Sequence, residues 1–376
     1  MEHKFDFVNT SLQAIRARNL YRKLYDNKVR GPYIIFKRKK LINLSSNDYL
    51  GLATDHVSKK QLQSSSRLVA GNDSGFRTLE EKLAQHKSQE ASLIFPTGYM
   101  ANLGSIATLA QKGDVIFSDE LNHASIIEAC RLSDAKIIVY HHNNAEDLEK
   151  KIRQKAKRKF IVTEGIFSMD GDFANLKEIA SIASKNDTIF AMDDAHGDFV
   201  LGYDGKGTAQ HFGVERKIDL YVSSLSKGLG AFGGYIASKR NVVDFMINKS
   251  KPFIYTSALP SFIVDLALDR FMSNRERRRK KLWENIKKMH SGIKSLGYET
   301  NSQSQIIPII IGNEKTAMEF GKYLFENNIF AQPIRYPTVK LGLARIRISV
   351  TAWLSDEHIN KSLDVLKSAG KKFRIL

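Results

Sequence analysis

Between residues 91 and 224, short apolar, β-branched runs alternate with stretches of helical period. The candidate strands are ASLIFP (91–96), VIFSD (115–119), KIIVYH (136–141), KFIVTEG (159–165), TIFAMDD (188–194) and DLYVSS (219–224). Between them lie helical stretches such as ASIIEACRLS (124–133), AEDLEKKIRQKA (145–156) and NLKEIASIASK (175–185). Such alternation predicts an α/β fold built from crossover units, with a mostly parallel central sheet and helices on both faces. After about residue 240 the pattern changes. A long charged helical region (268–297) leads into IIPIII (306–311) and ARIRISVT (344–351), as expected of a smaller α+β domain. The expected organisation is an N-terminal arm over 1–45, a large domain over 46–245 and a small C-terminal domain over 246–376. A chain of 376 residues suits that division.

Open parallel sheets bind ligands beyond the carboxyl ends of their strands. Those positions hold TGY (97–99), DELNHAS (119–125), EGIFSMDGD (164–172), DDAHGD (193–198) and SSLSK (223–227). Functional groups are dense along this one predicted edge.

Composition removes other classes. No apolar stretch approaches the roughly 20 residues needed to span a bilayer. The first residues, MEHKFDFVNT, have no apolar leader core, so the cytoplasm is the expected compartment. The single cysteine, Cys130, excludes an internal disulfide and a multi-cysteine metal cluster. The net charge of +18 comes partly from KRKK (37–40), KAKRK (155–159) and RERRRKK (275–281). Such a field attracts nucleic acids, phosphorylated cofactors and acidic carrier proteins alike. No zinc-finger spacing or aromatic RNA-binding motif accompanies the runs, which read as solvated helix faces. Neither nucleic acid nor membrane is an expected partner.

Four features carry chemistry. Asp193 and His196 end a strongly apolar strand in MDDAHGDF. Their spacing suits a metal pair poorly, and an aspartate there could simply cap a helix. A carboxylate can also pair with a protonated pyridine nitrogen, and a lysine can hold an aldehyde as a Schiff base. Lys227, 34 positions after Asp193 in SLSKGLGAFGG, supplies the lysine in the order that pyridoxal phosphate enzymes use. Gly98 and Tyr99 open a helix directly after a strand, a place where backbone N–H groups suit a phosphate, although glycine before a helix is common. GYDGKGT (202–208) lacks the spacing of a nucleoside-triphosphate loop and reads as a turn. His123 alone would be a structural or surface histidine. ARIRIS would be an edge strand with alternating outward arginines.

The stretches NLSSNDYLGLATD (43–55), TGYMANLG (97–104), NHASIIEA (122–129), TEGIFSMDGDFANL (163–176), DDAHGDFVLG (193–202), SLSKGLGAFGG (224–234) and RYPTVKLGLARIRISVTA (335–352) together resemble the α-oxoamine synthases. Members of that family are fold-type I pyridoxal-phosphate transferases. They condense an amino acid with an acyl thioester and release carbon dioxide. The likeness runs in one order from about residue 10 to the C-terminus.

The resemblance implies a set of roles. Lys227 would form the Schiff base with pyridoxal 5'-phosphate and later act as base. Asp193 would pair with the ring nitrogen, His196 would hydrogen-bond the phenolic oxygen, and His123 would stack on the ring. Ser168, Ser224 and the backbone of Gly98 and Tyr99 would contact the cofactor or its phosphate. Asn47 and Arg347 would hold the amino-acid carboxylate, and Arg22 and Thr338 would meet the acyl substrate. It further implies a homodimer and small-molecule substrates: L-alanine with a pimeloyl thioester of coenzyme A or acyl carrier protein, or, as the rival pair, glycine with an acetyl thioester. The chain departs from the family pattern in two places. QSSSRLVAG (63–71) replaces a glycine-rich stretch, and Phe76 stands where a histidine is often found.

Overall fold

The computed structural model describes residues 6–21, 28–36, 38–52 and 65–376. They form two compact units, one of residues 47–168 and 172–280, the other of 1–46, 169–171 and 281–376.

The larger unit is built on a seven-stranded sheet. Its order is Ala91–Phe95, Gly234–Ser238, Leu220–Ser224, Ile189–Asp193, Lys159–Glu164, Val115–Asp119 and Lys136–Tyr140. The last five strands pair in parallel. Gly234–Ser238 runs antiparallel to both of its neighbours. All six candidate strands therefore form as expected, and Gly234–Ser238 joins them inside the sheet. The strands at 91, 115, 220 and 234 are buried at every residue, as a sheet covered on both faces requires. Lys136–Tyr140 is an edge strand, and its outward residues are exposed.

One face of this sheet is sealed by Ala101 and Ile106 of helix Gly98–Leu109, Ile126 and Ala129 of helix Ala124–Leu132, and Met246 and Phe253 further on. These pack with Leu93, Phe95, Ile116, Phe160, Val162 and Val222 of the strands. Fully burying a side chain the size of Phe95 stabilises the fold by roughly 1.5–3 kcal/mol. The core thereby fixes where the strand ends, and the polar residues on them, come to lie.

In the smaller unit, Ile306–Gly312, Ala344–Ser349 and Gln332–Ile334 form a sheet with Ala344–Ser349 in the middle. ARIRIS is thus a central strand with all six residues buried, and not an edge strand. Its arginines are buried by what packs on the sheet faces and are paired there, Arg345 donating to Asp170 Oδ1 at 2.6 Å and Arg347 to Ser349 Oγ at 2.8 Å. A second sheet joins Lys28–Arg30, Tyr33–Phe36 and Lys39–Asn43 to Ile329–Phe330. The charged helical region over 268–297 falls in two helices, Ser261–Met272 and Glu276–Ser295, separated by residues 273–275. Ser273 turns its hydroxyl back onto the Arg270 carbonyl, and Asn274 Oδ1 accepts the Glu276 N–H, so the two side chains satisfy the broken ends.

Candidate active site

Lys227 sits on the loop joining the antiparallel strands Leu220–Ser224 and Gly234–Ser238. Leu225 N–H donates to Gly233 O, Ala231 N–H to Leu225 O and Gly230 N–H to Lys227 O. That tight path needs positive φ at Gly230 (67°) and Gly233 (116°), which glycine adopts without strain. The glycines after Lys227 therefore shape a rigid loop that holds a half-buried amine.

The amine ends 3.1 Å from His196 Nε2. On the other side of the ring, Tyr49 Oη lies 2.7 Å from His196 Nδ1 and donates to Asn47 Oδ1 at 3.0 Å. Because the phenol's hydrogen goes to Asn47, its lone pair faces a proton on Nδ1. Nε2 is then the acceptor facing Lys227.

Asp193 closes strand Ile189–Asp193, and both of its oxygens are held. Ala195 N–H donates to Oδ1 at 2.9 Å, and Asn102 Nδ2 donates to Oδ2 at 2.6 Å. Asn102 also reaches Ser125 Oγ at 2.9 Å, and Ser125 Oγ lies 2.8 Å from His123 Nδ1. His123 is the N-cap of helix Ala124–Leu132, its Nδ1 accepting the Ser125 N–H. Burial and the charge of Lys227 lower its pKa against the pull of Asp193, so the ring is neutral.

Glu164 ends the neighbouring strand in register with Asp193. It is buried, and its Oε1 has no hydrogen-bond partner among the described residues. Burial, then the charge of Asp193, pushes its pKa well above the ordinary value of 4.5 despite Lys227. Its surroundings thus favour the protonated form.

Helix Gly98–Leu109 begins at the same edge. Thr97 caps it by accepting the Met100 N–H, and the first-turn N–H groups have no helical acceptor. The glycines here are required by close approach. A Cβ on Gly234 would lie 2.3 Å from the Gly98 nitrogen, and one on Gly98 would lie 3.3 Å from the Ser224 Cβ. Ser224 Oγ and Ser226 Oγ are 2.8 Å apart beside this helix start. Tyr99 is exposed, with its ring 6.4 Å from that of His123. Ser168 is buried in the turn after strand Lys159–Glu164.

A buried ionic cluster holds the segment carrying Asp193 and His196. Lys87 Nζ lies 2.9 Å from Asp194 Oδ2 and 2.7 Å from Asp198 Oδ1. Asp194 also accepts Thr208 Oγ1–H at 2.5 Å, while Asp198 takes His86 Nε2–H at 2.9 Å, Ser223 Oγ–H at 2.7 Å and Tyr235 Oη–H at 2.5 Å. Burial opposes charge on Lys87, but the two aspartates outweigh it and its pKa is raised. Asp198 is likewise held ionised against burial by Lys87 and His86. Next to the turn bearing Ser168, His142 bridges Asp119 and Asp172, at 2.9 Å from each. Burial works against its charge, yet hydrogen bonds to both carboxylates push its pKa up to about 10.

In the larger unit, then, Lys227, Asp193, His196, His123, Ser224, Gly98 and Tyr99 are placed by elements that end at one sheet edge, and Asn47 joins His196 through Tyr49. Sequence reasoning missed Tyr49, Asn102, Ser125, Glu164 and Lys87. Tyr49, Asn102, Ser125 and Glu164 lay inside quoted motifs, but nothing local marked their partners. Lys87 lay outside every quoted motif. In the smaller unit, Arg347 is buried on the central strand and donates to Ser349 Oγ at 2.8 Å. Thr338 is exposed, its N–H bonded to Arg335 O. Arg22 lies outside the described residues. Phe76 is fully buried, with the Arg67 guanidinium 4.2 Å from its ring centre, so here the position serves the core.

The donor set of the larger unit suits pyridoxal phosphate. It offers an amine for the aldehyde, a fixed carboxylate for the ring nitrogen, and a helix start whose first-turn N–H groups have no helical acceptor. Fold and donor set together define a fold-type I pyridoxal-phosphate-dependent transferase.

A profile of the aminotransferase class I and II family matches residues 39–366. The 8-amino-7-oxononanoate synthase of Thermoanaerobacter pseudethanolicus is 41% identical, the alignment covering 100% of this chain and 99% of that protein. Among solved structures, Sphingomonas wittichii serine palmitoyltransferase has a TM-score of 0.92 at 30% identity, covering 99% of this chain and 98% of its own. The S. paucimobilis serine palmitoyltransferase with bound PLP also reaches 0.92, at 27% identity and 99% of both chains. The chain belongs to the aminotransferase class I and II family, within its α-oxoamine synthase branch.

Proposed function

We propose that this chain condenses L-alanine with a pimeloyl thioester, releasing carbon dioxide and the thiol, to form 8-amino-7-oxononanoate. Identity of 36–41% over nearly full length to synthases of that name supports the substrate pair. The structural observation that carries the reading is the Lys227 amine 3.1 Å from His196 Nε2, on a sheet edge that also holds Asp193.

When bound, pyridoxal phosphate supplies an electron-accepting ring that spreads the negative charge left on the amino acid's α-carbon. Lys227 moves the proton: as a neutral amine it accepts the α-hydrogen at Nζ and later returns it. His196 Nε2, 3.1 Å from that amine, can take a proton from it and would be the group that hydrogen-bonds the cofactor's phenolic oxygen. Asp193, oriented by Asn102 and Ala195, would pair with the ring nitrogen and favour its protonated form. His123 offers a neutral ring. Ser168, Ser224 and the N–H groups of Gly98 and Tyr99 would hold the cofactor and its phosphate. Asn47 and Arg347 are the residues proposed for the amino-acid carboxylate, where a guanidinium binds in two-pronged fashion. Thr338 and Arg22 are those proposed for the acyl chain.

The proposed assembly is a homodimer in the cytoplasm. Val69 is 80% exposed, Tyr255 81% and Leu68 53%, and the Ser65 carbonyl accepts the Ala258 N–H, which ties these two segments together. Large apolar side chains so bare and so grouped support a protein contact. Among the described residues, no helix is long and apolar enough to cross a membrane.

The deciding experiment compares turnover of L-alanine with pimeloyl thioester against glycine with acetyl-CoA. The first pair is expected to win clearly; equal or better use of the second would overturn the assignment. Borohydride treatment should erase the visible cofactor band and leave the label on Lys227.

A further inference from the structure

We infer that Asn102 and Ser125 form a hydrogen-bonded relay that ties Asp193 to His123 and sets His123 as the Nε2–H tautomer. They are positioning residues, and the inference rests on the proposed function only for the roles of Asp193 and His123.

The relay follows from counting donors. A primary amide has two N–H hydrogens, and Asn102 spends one on Asp193 Oδ2 at 2.6 Å and the other on Ser125 Oγ at 2.9 Å. Asn102 is 1% exposed, so water does not compete. The amide cannot be reversed, because that would set its oxygen against the Asp193 carboxylate. Its own oxygen is left buried with no hydrogen-bond partner among the described residues, so the amide sits there for its donors. Ser125 Oγ accepts from Asn102, and its hydrogen then goes to His123 Nδ1 at 2.8 Å. The Ser125 backbone N–H also donates to Nδ1, at 3.2 Å. Two donors on one ring nitrogen exclude a proton there. In the neutral ring the hydrogen must sit on Nε2.

The charged and titratable groups around His123 include Asp193, Lys227, the Tyr99 phenol with its ring 6.4 Å away, and Glu164, whose carboxyl accepts the His123 backbone N–H. The ring is thereby presented as an Nε2–H donor in a set orientation. The carboxylate that governs the cofactor ring and the histidine proposed to face that ring share one frame. Replacing Asn102 by aspartate would set two carboxylates together, and replacing Ser125 by alanine would remove one donor to Nδ1.

The test uses protein with ¹⁵N-labelled histidine, without substrate, with and without pyridoxal phosphate. His123 is assigned by its loss in His123→Gln. Multiple-bond ¹H–¹⁵N spectra should show an unprotonated Nδ1 and a protonated Nε2. Ser125→Ala, a one-atom deletion, should mix the tautomers, and Ser125→Thr should restore the single form. Asn102→Ala should shift the His123 resonances although it does not touch that ring. The double variant Asn102→Ala with Ser125→Ala should go no further than Ser125→Ala alone. A proton on Nδ1 in the unaltered protein would overturn the relay. So would an Asn102→Ala spectrum with His123 unmoved and only the melting temperature reduced. Because no acyl donor is present, failure of the alanine–pimeloyl assignment would leave these spectra unchanged.

Discussion

Lys227 Nζ lies 3.1 Å from His196 Nε2, and the opposite ring nitrogen of that histidine is held 2.7 Å from Tyr49 Oη. The phenol thus decides which nitrogen faces the amine. Tyr49→Phe should keep the fold, lower kcat more than it raises KM, and shift the pH–rate profile. Lys227→Ala should remove at least the ~10²–10⁴-fold that proton transfer by a placed side chain contributes. Lys227→Arg should not rescue, since a guanidinium keeps its proton. Steady-state rates and cofactor absorbance check both.

Glu164 tests what burial does to an acid. Its folded pKa is raised well above 4.5, so the proton it keeps favours the fold fully below pH 4.5. That contribution is lost as pH rises toward the raised value, because the unfolded carboxyl ionises freely. Glu164→Gln mimics the neutral acid. Its melting temperature should match the parent at low pH and exceed it progressively above pH 4.5, with activity retained. A variant that melts lower at neutral pH would show an ionised carboxylate.

Lys87 answers two buried aspartates at once. Lys87→Met leaves both charges with less compensation and should cost about 3–5 kcal/mol, the usual penalty for breaking a buried pair from one side. Asp198→Asn should fall in the same range, since it also weakens the bonds from His86, Ser223 and Tyr235. Denaturant unfolding measures both. Their double variant should lose less than the sum, because each single change orphans the other's partner.

His142 provides a pH signature of opposite kind to a salt-bridged carboxylate. Its folded pKa is about 10 against 6.5 for the free side chain. The stability it contributes is present in full below pH 6.5 and disappears as pH rises through about 10. His142→Gln should therefore lower the melting temperature most at pH 6, with the deficit closing by pH 10. A deficit independent of pH would mean the ring is neutral throughout.

Strand positions were legible because each run carries its own signal. The parallel strands at 115–119, 136–140, 159–164, 189–193 and 220–224 lie where apolar β-branched runs predict them. Gly234–Ser238 escaped because its glycines read as loop, and only pairing with Ala91–Phe95 and Leu220–Ser224 makes it a strand. ARIRIS showed the reverse failure. Alternating arginines imply a solvent face, yet both arginines are buried and hydrogen-bonded, Arg345 to Asp170 and Arg347 to Ser349.

The sequence by itself determined the α/β architecture and the chemistry at its strand ends. Periodicity is a local property, and so is the placing of Asp193, His196 and Lys227 just after predicted strands. Only the tertiary structure decided what orients those groups. Tyr49 meets His196 across 147 positions, Asn102 meets Asp193 across 91, and Lys87 meets Asp194 across 107. A hydrogen bond depends on a separation of about 3 Å in space. No pattern along the chain encodes that distance until the sheet and its helices have closed around it.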